Sequence, residues 1–232
     1  MKIFLRALAL ALVGAVSAHA SINIVTGGDA GEGFAPLPLI YAAVVYGGTS
    51  AQTVQGVNFL TSNSNFTLGY SGPLYTYTTG MAVSGSSAND IALSSIASHQ
   101  TYTGTGTLTL TIFGLDPTTT YQIDSLSGLQ VNYSARTMNV TATGASTITD
   151  VMSGAQQLGD GNFYDFSQTL KPNASGVITL TYQITSGPPS PGISGVVVSS
   201  ATASVPEPAS ALCCGLGALL LAGTRRRRPR VV

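Results

Sequence analysis

The sequence predicts an all-β protein, an antiparallel β-sandwich of jelly-roll type, set between an N-terminal signal peptide and a C-terminal transmembrane helix. Three observations carry that reading. Apolar residues alternate with threonines at period two, as in Leu108, Leu110 and Ile112 between Thr107, Thr109 and Thr111, which is the pattern of a strand with one buried face. Such stretches recur roughly every 8–15 residues, separated by Gly, Pro and Asn turns, with one helical stretch among them. The central segment is also rich in Ser, Thr and Gly and poor in charge, so hydroxyls stand where surface strands usually carry charges.

Residues 1–20 have the parts of a secretory signal peptide: Lys2 and Arg6, an apolar run at 7–16, and Ala18-His19-Ala20 as a small-x-small cleavage pattern. The mature chain is expected to start at Ser21. Residues 22–26 form a short apolar strand, and the glycine-rich stretch 27–33 that follows opens no helix, which rules it out as a phosphate cradle. Strands are predicted at 39–46, 54–60 and 66–70. Tyr70, Tyr75 and Tyr77 surround Gly72-Pro73 in what reads as a loop. Asp90 is placed as the cap of a short helix with Ile91, Leu93, Ile96 and Ala97 on one face. Further strands are predicted at 107–113, 121–126, 136–142, 163–170 and 177–185. The break at 187–192, Gly-Pro-Pro-Ser-Pro-Gly, precedes a last strand at 193–199. No internal repeat is present. The segment 21–204 is long enough for one core without disulfides, and it contains no cysteine.

The formal net charge of zero conceals an asymmetry. Seven of the nine basic residues lie in the two ends, and the 21–204 segment keeps only Arg136 and Lys171 against eight acids, Asp29, Glu32, Asp90, Asp116, Asp124, Asp150, Asp160 and Asp165. Its formal charge is −6 by that count. A nucleic-acid partner needs clustered Lys and Arg, and the segment offers none.

Residues 205–232 form a three-part tail. Pro206-Glu207-Pro208 makes a stiff extended joint, because each proline restricts the residue before it. Residues 209–224 are apolar and uncharged, and as a helix would reach ~24 Å, short of a hydrocarbon core of ~30 Å. Arginines that snorkel, or a thinned bilayer, make up the difference. Arg225, Arg226, Arg227 and Arg228 then act as a cytoplasmic stop-transfer signal. Cys213 and Cys214 inside the run read as small apolar residues. Proline–acid–proline, a short apolar helix and a terminal arginine cluster resemble the PEP-CTERM sorting signal of exported bacterial proteins. That resemblance covers only the tail. It implies recognition by an exosortase-type membrane protease, in bacteria that make extracellular polysaccharide. A plain uncut membrane anchor is the other reading of the same residues.

Two fold resemblances concern the central segment. Gly114-Leu115, Pro117 and Tyr121 resemble the turn-plus-tyrosine signature of fibronectin-type sandwiches, which implies a tyrosine hydroxyl bonded back across a corner. A short helix, an alternating strand, that turn and a closing strand at 192–196 resemble jelly-roll domains of the galactose-binding type. The length of the segment favours the single jelly roll.

Candidate chemistry is sparse. His99 is the one histidine of the segment after Ser21, and no G-x-S-x-G occurs, so nucleophilic hydrolysis lacks a base. His99 reads as a surface or capping residue. Zinc lacks preferred ligands. Two aspartate pairs, Asp160 with Asp165 and Asp116 with Asp124, have the residue type that glycoside hydrolysis uses. Acids in Gly and Asn contexts more commonly serve turns. Calcium takes oxygen ligands, and Asp160, Asn162 and Asp165, with Asp150, are the candidates for it. Ten tyrosines and no tryptophan leave Tyr70, Tyr75 and Tyr77 as an aromatic platform for sugar, with ordinary packing as the competing use.

The sequence thus leads to an exported surface or extracellular-matrix protein, structural or adhesive and non-enzymatic, with weak contact to extracellular polysaccharide. Its membrane contact is through the C-terminal helix, at first in the inner membrane, before release to the surface or matrix. A secreted carbohydrate-active enzyme using paired aspartates is the alternative.

Overall fold

The computed structural model describes residues 18–26, 28, 34–129, 134–152, 158 and 162–201. The rest of the signal peptide, the 29–33 loop, Asp160 and the whole sorting tail, including Pro206 to Arg228, lie outside the described residues. Among the described residues no helix is long and apolar enough to cross a membrane.

In chain order the elements are β1 (His19–Ile24), β2 (Leu39–Val45), β3 (Gln52–Val54), β4 (Val57–Phe59), β5 (Phe66–Tyr70), β6 (Leu74–Thr78), α1 (Ala88–Ala97), β7 (His99–Thr103), β8 (Thr107–Ile112), β9 (Tyr121–Gly128), β10 (Thr137–Thr143), β11 (Thr147–Val151), β12 (Phe163–Leu170), β13 (Ile178–Ser186), β14 (Gly192–Ile193) and β15 (Gly195–Ser200). Two five-stranded sheets form the sandwich, in the orders β1-β12-β9-β15-β2 and β11-β10-β13-β8-β5. A three-stranded sheet, β14-β7-β6, and the hairpin β3-β4 complete the architecture. The named strands pair antiparallel throughout. The all-β antiparallel sandwich expected from the sequence is the fold.

The alternating strands behave as their pattern requires. Leu108, Leu110 and Ile112 of β8 and Ile178, Leu180 and Tyr182 of β13 are buried between the sheets, while the intervening threonines face outward. They meet Ile123, Tyr164, Phe166, Val196 and Val198 of the first sheet in one core. A second core lies on the opposite face of that sheet. There Ala43, Val45, Leu126, Phe163 and Val197 pack against Leu93 and Ile96 of α1, Val54, Val57 and Phe59 of the hairpin, and Phe34. β9 and β15 are therefore covered on both faces. That explains the unbroken valines of β15, which follow the rule for strands with no wet face. Polar residues of β9 buried in this position need partners, and the Ser125 Oγ lies 2.6 Å from the Tyr182 hydroxyl across the core.

Several expected elements change form. The single strand at 54–60 is the hairpin β3-β4, because Gln55 (φ 50°) and Gly56 (φ 79°) turn it with two left-handed residues, the geometry of a tight hairpin. Ser87, not Asp90, caps α1. Asp90 is the third helical residue and closes a capping box: the Ser87 Oγ accepts from the Asp90 N–H at 3.2 Å and the Asp90 carboxylate accepts from the Ser87 N–H at 3.0 Å. Asp90 also accepts from the Gly28 N–H at 2.9 Å, tying the chain after β1 to the helix. Ile91, assigned to the apolar face, is 63% exposed, and Ala92 takes its place inside. Ser98 is the C-cap of α1, and the Nδ1 of His99, the first residue of β7, lies 3.0 Å from the Ser95 carbonyl and 2.9 Å from the Ser98 Oγ. β6, β7 and β11 have no counterpart in the expected strands.

Candidate functional site

The three-stranded sheet positions the most distinctive surface of the molecule. β6 pairs with β7 so that Tyr75 lies opposite Tyr102 and Tyr77 opposite Gln100. Directly opposed residues share a face, so three tyrosines and a glutamine converge. The Tyr75 and Tyr102 rings stack with centroids 5.3 Å apart and 27° between planes. Tyr77 meets Tyr102 edge-on at 6.5 Å and 90°. Both are favoured aromatic geometries. Tyr75 and Tyr77 therefore sit on a strand and not in the expected loop. Tyr70, at the end of β5, is an exposed residue of another sheet.

A cleft of about 200 Å³ opens beside these rings, lined by Tyr77, Gln100, Tyr102, Leu129, Arg136 and Ser190. Its floor is fixed. Gln100 is 2% exposed and donates from Nε2 to the Ser127 Oγ at 3.2 Å, while the Ser127 hydroxyl donates to the Gly192 carbonyl at 2.8 Å. Gly192 lies opposite Tyr102 on β14, and a Cβ there would come within 2.5 Å of the Gln100 amide. Glycine at this place leaves the space that the Gln100 amide occupies. Arg136 donates from Nη1 to the Ser190 carbonyl at 2.9 Å, and its backbone exchanges two 2.9 Å bonds with Leu158. The cleft is smaller than the ~300–1,000 Å³ of a typical small-molecule site. It brings tyrosine rings together with an amide, a guanidinium and a backbone carbonyl.

The aspartates singled out from the sequence lie elsewhere. Asp165 is on β12, 1% exposed, and its Oδ1 has no hydrogen-bond partner among the described residues. Burial raises its carboxyl well above the usual range, and the charges of Asp124 and Asp150 raise it further. Asp124 is its diagonal neighbour on the same face of the sheet. It accepts from the Ser167 Oγ at 2.8 Å and from Gln122 Nε2 at 2.8 and 3.1 Å. Burial nevertheless pushes it up to about 6. Asp116 and Asp124 do not form a pair facing a cleft, because Asp116 is spent on its own turn, accepting from the Thr118 N–H and hydroxyl at 2.8 Å each. The Asn162 Nδ2 donates to the Tyr164 hydroxyl at 3.1 Å. Asp160, its expected companion as a calcium ligand and as a catalytic acid, lies outside the described residues. Among the described residues no three His, Cys, Asp or Glu side chains gather as a metal site.

Asp150 on β11 is 3% exposed. Burial pushes its carboxyl up to about 7, against a hydrogen bond from Gln168 that lowers it.

No protein-family model and no curated protein matches the chain. Solved structures resemble it in outline. The CBM22-1 xylan-binding domain of Paenibacillus barcinonensis Xyn10C shares 12% identity, aligned over 73% of this chain and 99% of that one, at a TM-score of 0.42. The CBM22-1 and GH10 modules of Clostridium thermocellum endo-1,4-β-D-xylanase 10B, complexed with xylohexaose, share 10% identity over 72% of this chain and 29% of that one, at a TM-score of 0.37.

Tyr102, Gln100, Arg136 and Ser190 were not found as site residues from the sequence. The single available signal was the alternation of Gln100 and Tyr102 with threonines in a stretch too polar to read as a strand.

Proposed function

We propose that the chain is an exported, non-catalytic polysaccharide-contacting protein of the cell surface or extracellular matrix. The observation that carries this reading is the stacked pair Tyr75–Tyr102 beside a small cleft of mixed polar and apolar lining. A half-exposed aromatic pair with amide, guanidinium and carbonyl groups at its edge matches the mixed apolar and hydroxylated surface of a sugar ring. Affinity electrophoresis in gels containing the host's extracellular polysaccharide, with xylan as a neutral polymer, tests it. Migration of the native protein is expected to be retarded, and Tyr75→Ala to weaken binding about tenfold with its melting temperature unchanged. Equal retardation of the two proteins, or none of either, would overturn the reading.

Export and sorting belong to the same proposal. Residues 1–20 direct secretion, and Pro206-Glu207-Pro208, the 209–224 helix and Arg225 to Arg228 address the protein to an exosortase-type protease. Intact mass and location in the native host test this part. Loss of about the last 25 residues with release from the inner membrane is expected; a full tail held in that membrane would make the protein an anchored ectodomain.

A further inference from the structure

The predicted cleavage point lies within the fold. β1 begins at His19, and its register against β12 sets Ala20 opposite Gln168 and Ser21 opposite Ser167. β1 and β11 are the end strands on the same side of the two facing sheets. Between them is a recess of about 260 Å³ lined by Ala20, Ser21, Ile22, Thr149, Asp150 and Val151. Asp150 is 3% exposed. The Asp150 Oδ2 is buried with no hydrogen-bond partner among the described residues, and the neighbouring Gln168 donates from Nε2 to the Val140 carbonyl at 2.6 Å. The charge of Asp150 in turn helps raise the buried Asp165 carboxyl on β12. A buried carboxylate oxygen left in this state is costly unless the group takes up a proton, the direction in which burial drives it, or an opposite charge meets it.

We infer that export completes this site: the α-ammonium of Ser21, created when the signal peptide is removed, enters the recess and pairs with the Asp150 carboxylate. The inference rests on cleavage after Ala20. Hydrolysis of the Ala20–Ser21 peptide bond consumes one water. It leaves a carboxylate on Ala20, which departs with residues 1–20, and an α-amino group on Ser21, which is protonated near neutral pH. The Val25 N–H donates to the Phe163 carbonyl at 2.7 Å. Antiparallel hydrogen-bonded pairs recur every second residue, so Ser21 falls in such a pair with Ser167. One ammonium proton keeps that ladder bond and the other two are available to Asp150. The precursor, with an amide at the same position, has no charge to offer. The fold would thus be tighter after processing than before it.

The full-length precursor is expressed in an exporting host, and the processed protein is purified and its N-terminus fixed by intact mass. The processed protein is compared with the same protein selectively acetylated on its α-amine, each with Asp150 and as Asp150→Asn. Acetylation is expected to lower the melting temperature at pH 7 by about 5 °C in the native sequence and to leave the Asp150→Asn protein unchanged. The α-amine, followed by ¹⁵N NMR, is expected to titrate higher in the native protein than in Asp150→Asn. Equal sensitivity to acetylation with and without Asp150, or no sensitivity in either, would overturn the pairing while leaving export intact. A mass showing cleavage at another bond would overturn both the pairing and the assigned cleavage site, and would leave the tyrosine cleft untouched.

Discussion

The Tyr121 hydroxyl accepts a hydrogen bond from the Asp116 backbone N–H at 3.1 Å, across the turn that joins β8 to β9. This is the bond implied by the Gly114-Leu115, Pro117 and Tyr121 pattern. Tyr41 of β2 adds to it, its ring edge-on to Tyr121 at 5.9 Å and its hydroxyl donating to the Gly114 carbonyl at 2.8 Å. The corner therefore ties the first sheet to the turn that enters it. Tyr121→Phe removes only the hydroxyl. It is expected to cost about 1 kcal/mol, or roughly 2–4 °C in melting temperature, read by urea and thermal denaturation. An unchanged midpoint would show that the bond contributes nothing.

Leu93 and Ile91 of α1 offer a paired comparison. Leu93 is fully buried in the second core and Ile91 is 63% exposed. Leu93→Ala is expected to destabilise by about 2–5 kcal/mol and Ile91→Ala by less than about 0.5 kcal/mol. Equal losses would mean that the helix lies on the sheet by a different face.

Asp124 sets a pH dependence. Its carboxyl is held at about 6 in the fold, against a reference value of 3.8. Between those values the native chain keeps a proton that the unfolded chain releases, so stability falls as pH rises from about 4 to about 6 and then levels. The full span corresponds to about 3 kcal/mol. Asp124→Asn is expected to make the fall in stability over that window shallower, the raised Asp150 and Asp165 carboxyls keeping part of the slope, measured by urea titration at each pH. A profile of the same slope would place the dependence elsewhere. Asp150 acts in the same direction up to about 7, but its contribution depends on the state of the N-terminus, so Asp124 is the cleaner probe.

Gly192→Ala tests the floor of the cleft. The added methyl would lie within 2.5 Å of the Gln100 amide, forcing the glutamine off Ser127. A stability loss of about 1–3 kcal/mol is expected, with weaker polysaccharide retardation than Tyr75→Ala leaves. Native-like binding would remove Gln100 from the site.

The fold class and most of the strands are legible in the residue pattern. β5 and β12 fall at the expected residues, and β8 and β13 fall within a residue or two of them. Their signals are local: a period-two pattern, a glycine, a proline. The turn tyrosine was legible for the same reason, since Asp116 and Tyr121 are close in sequence. Tertiary structure decided what local signals do not encode. β7, His-Gln-Thr-Tyr-Thr, is polar in sequence and is a strand because β6 and β14 flank it. Tyr75 and Tyr102 become one surface only through pairing across the α1 excursion. Asp165, read as an available ligand or acid, lies inside because both faces of its sheet are covered, one by the second sheet and the other by α1, the β3-β4 hairpin and Phe34. Periodicity tells which face of a strand is apolar; only long-range packing decides whether the other face meets water.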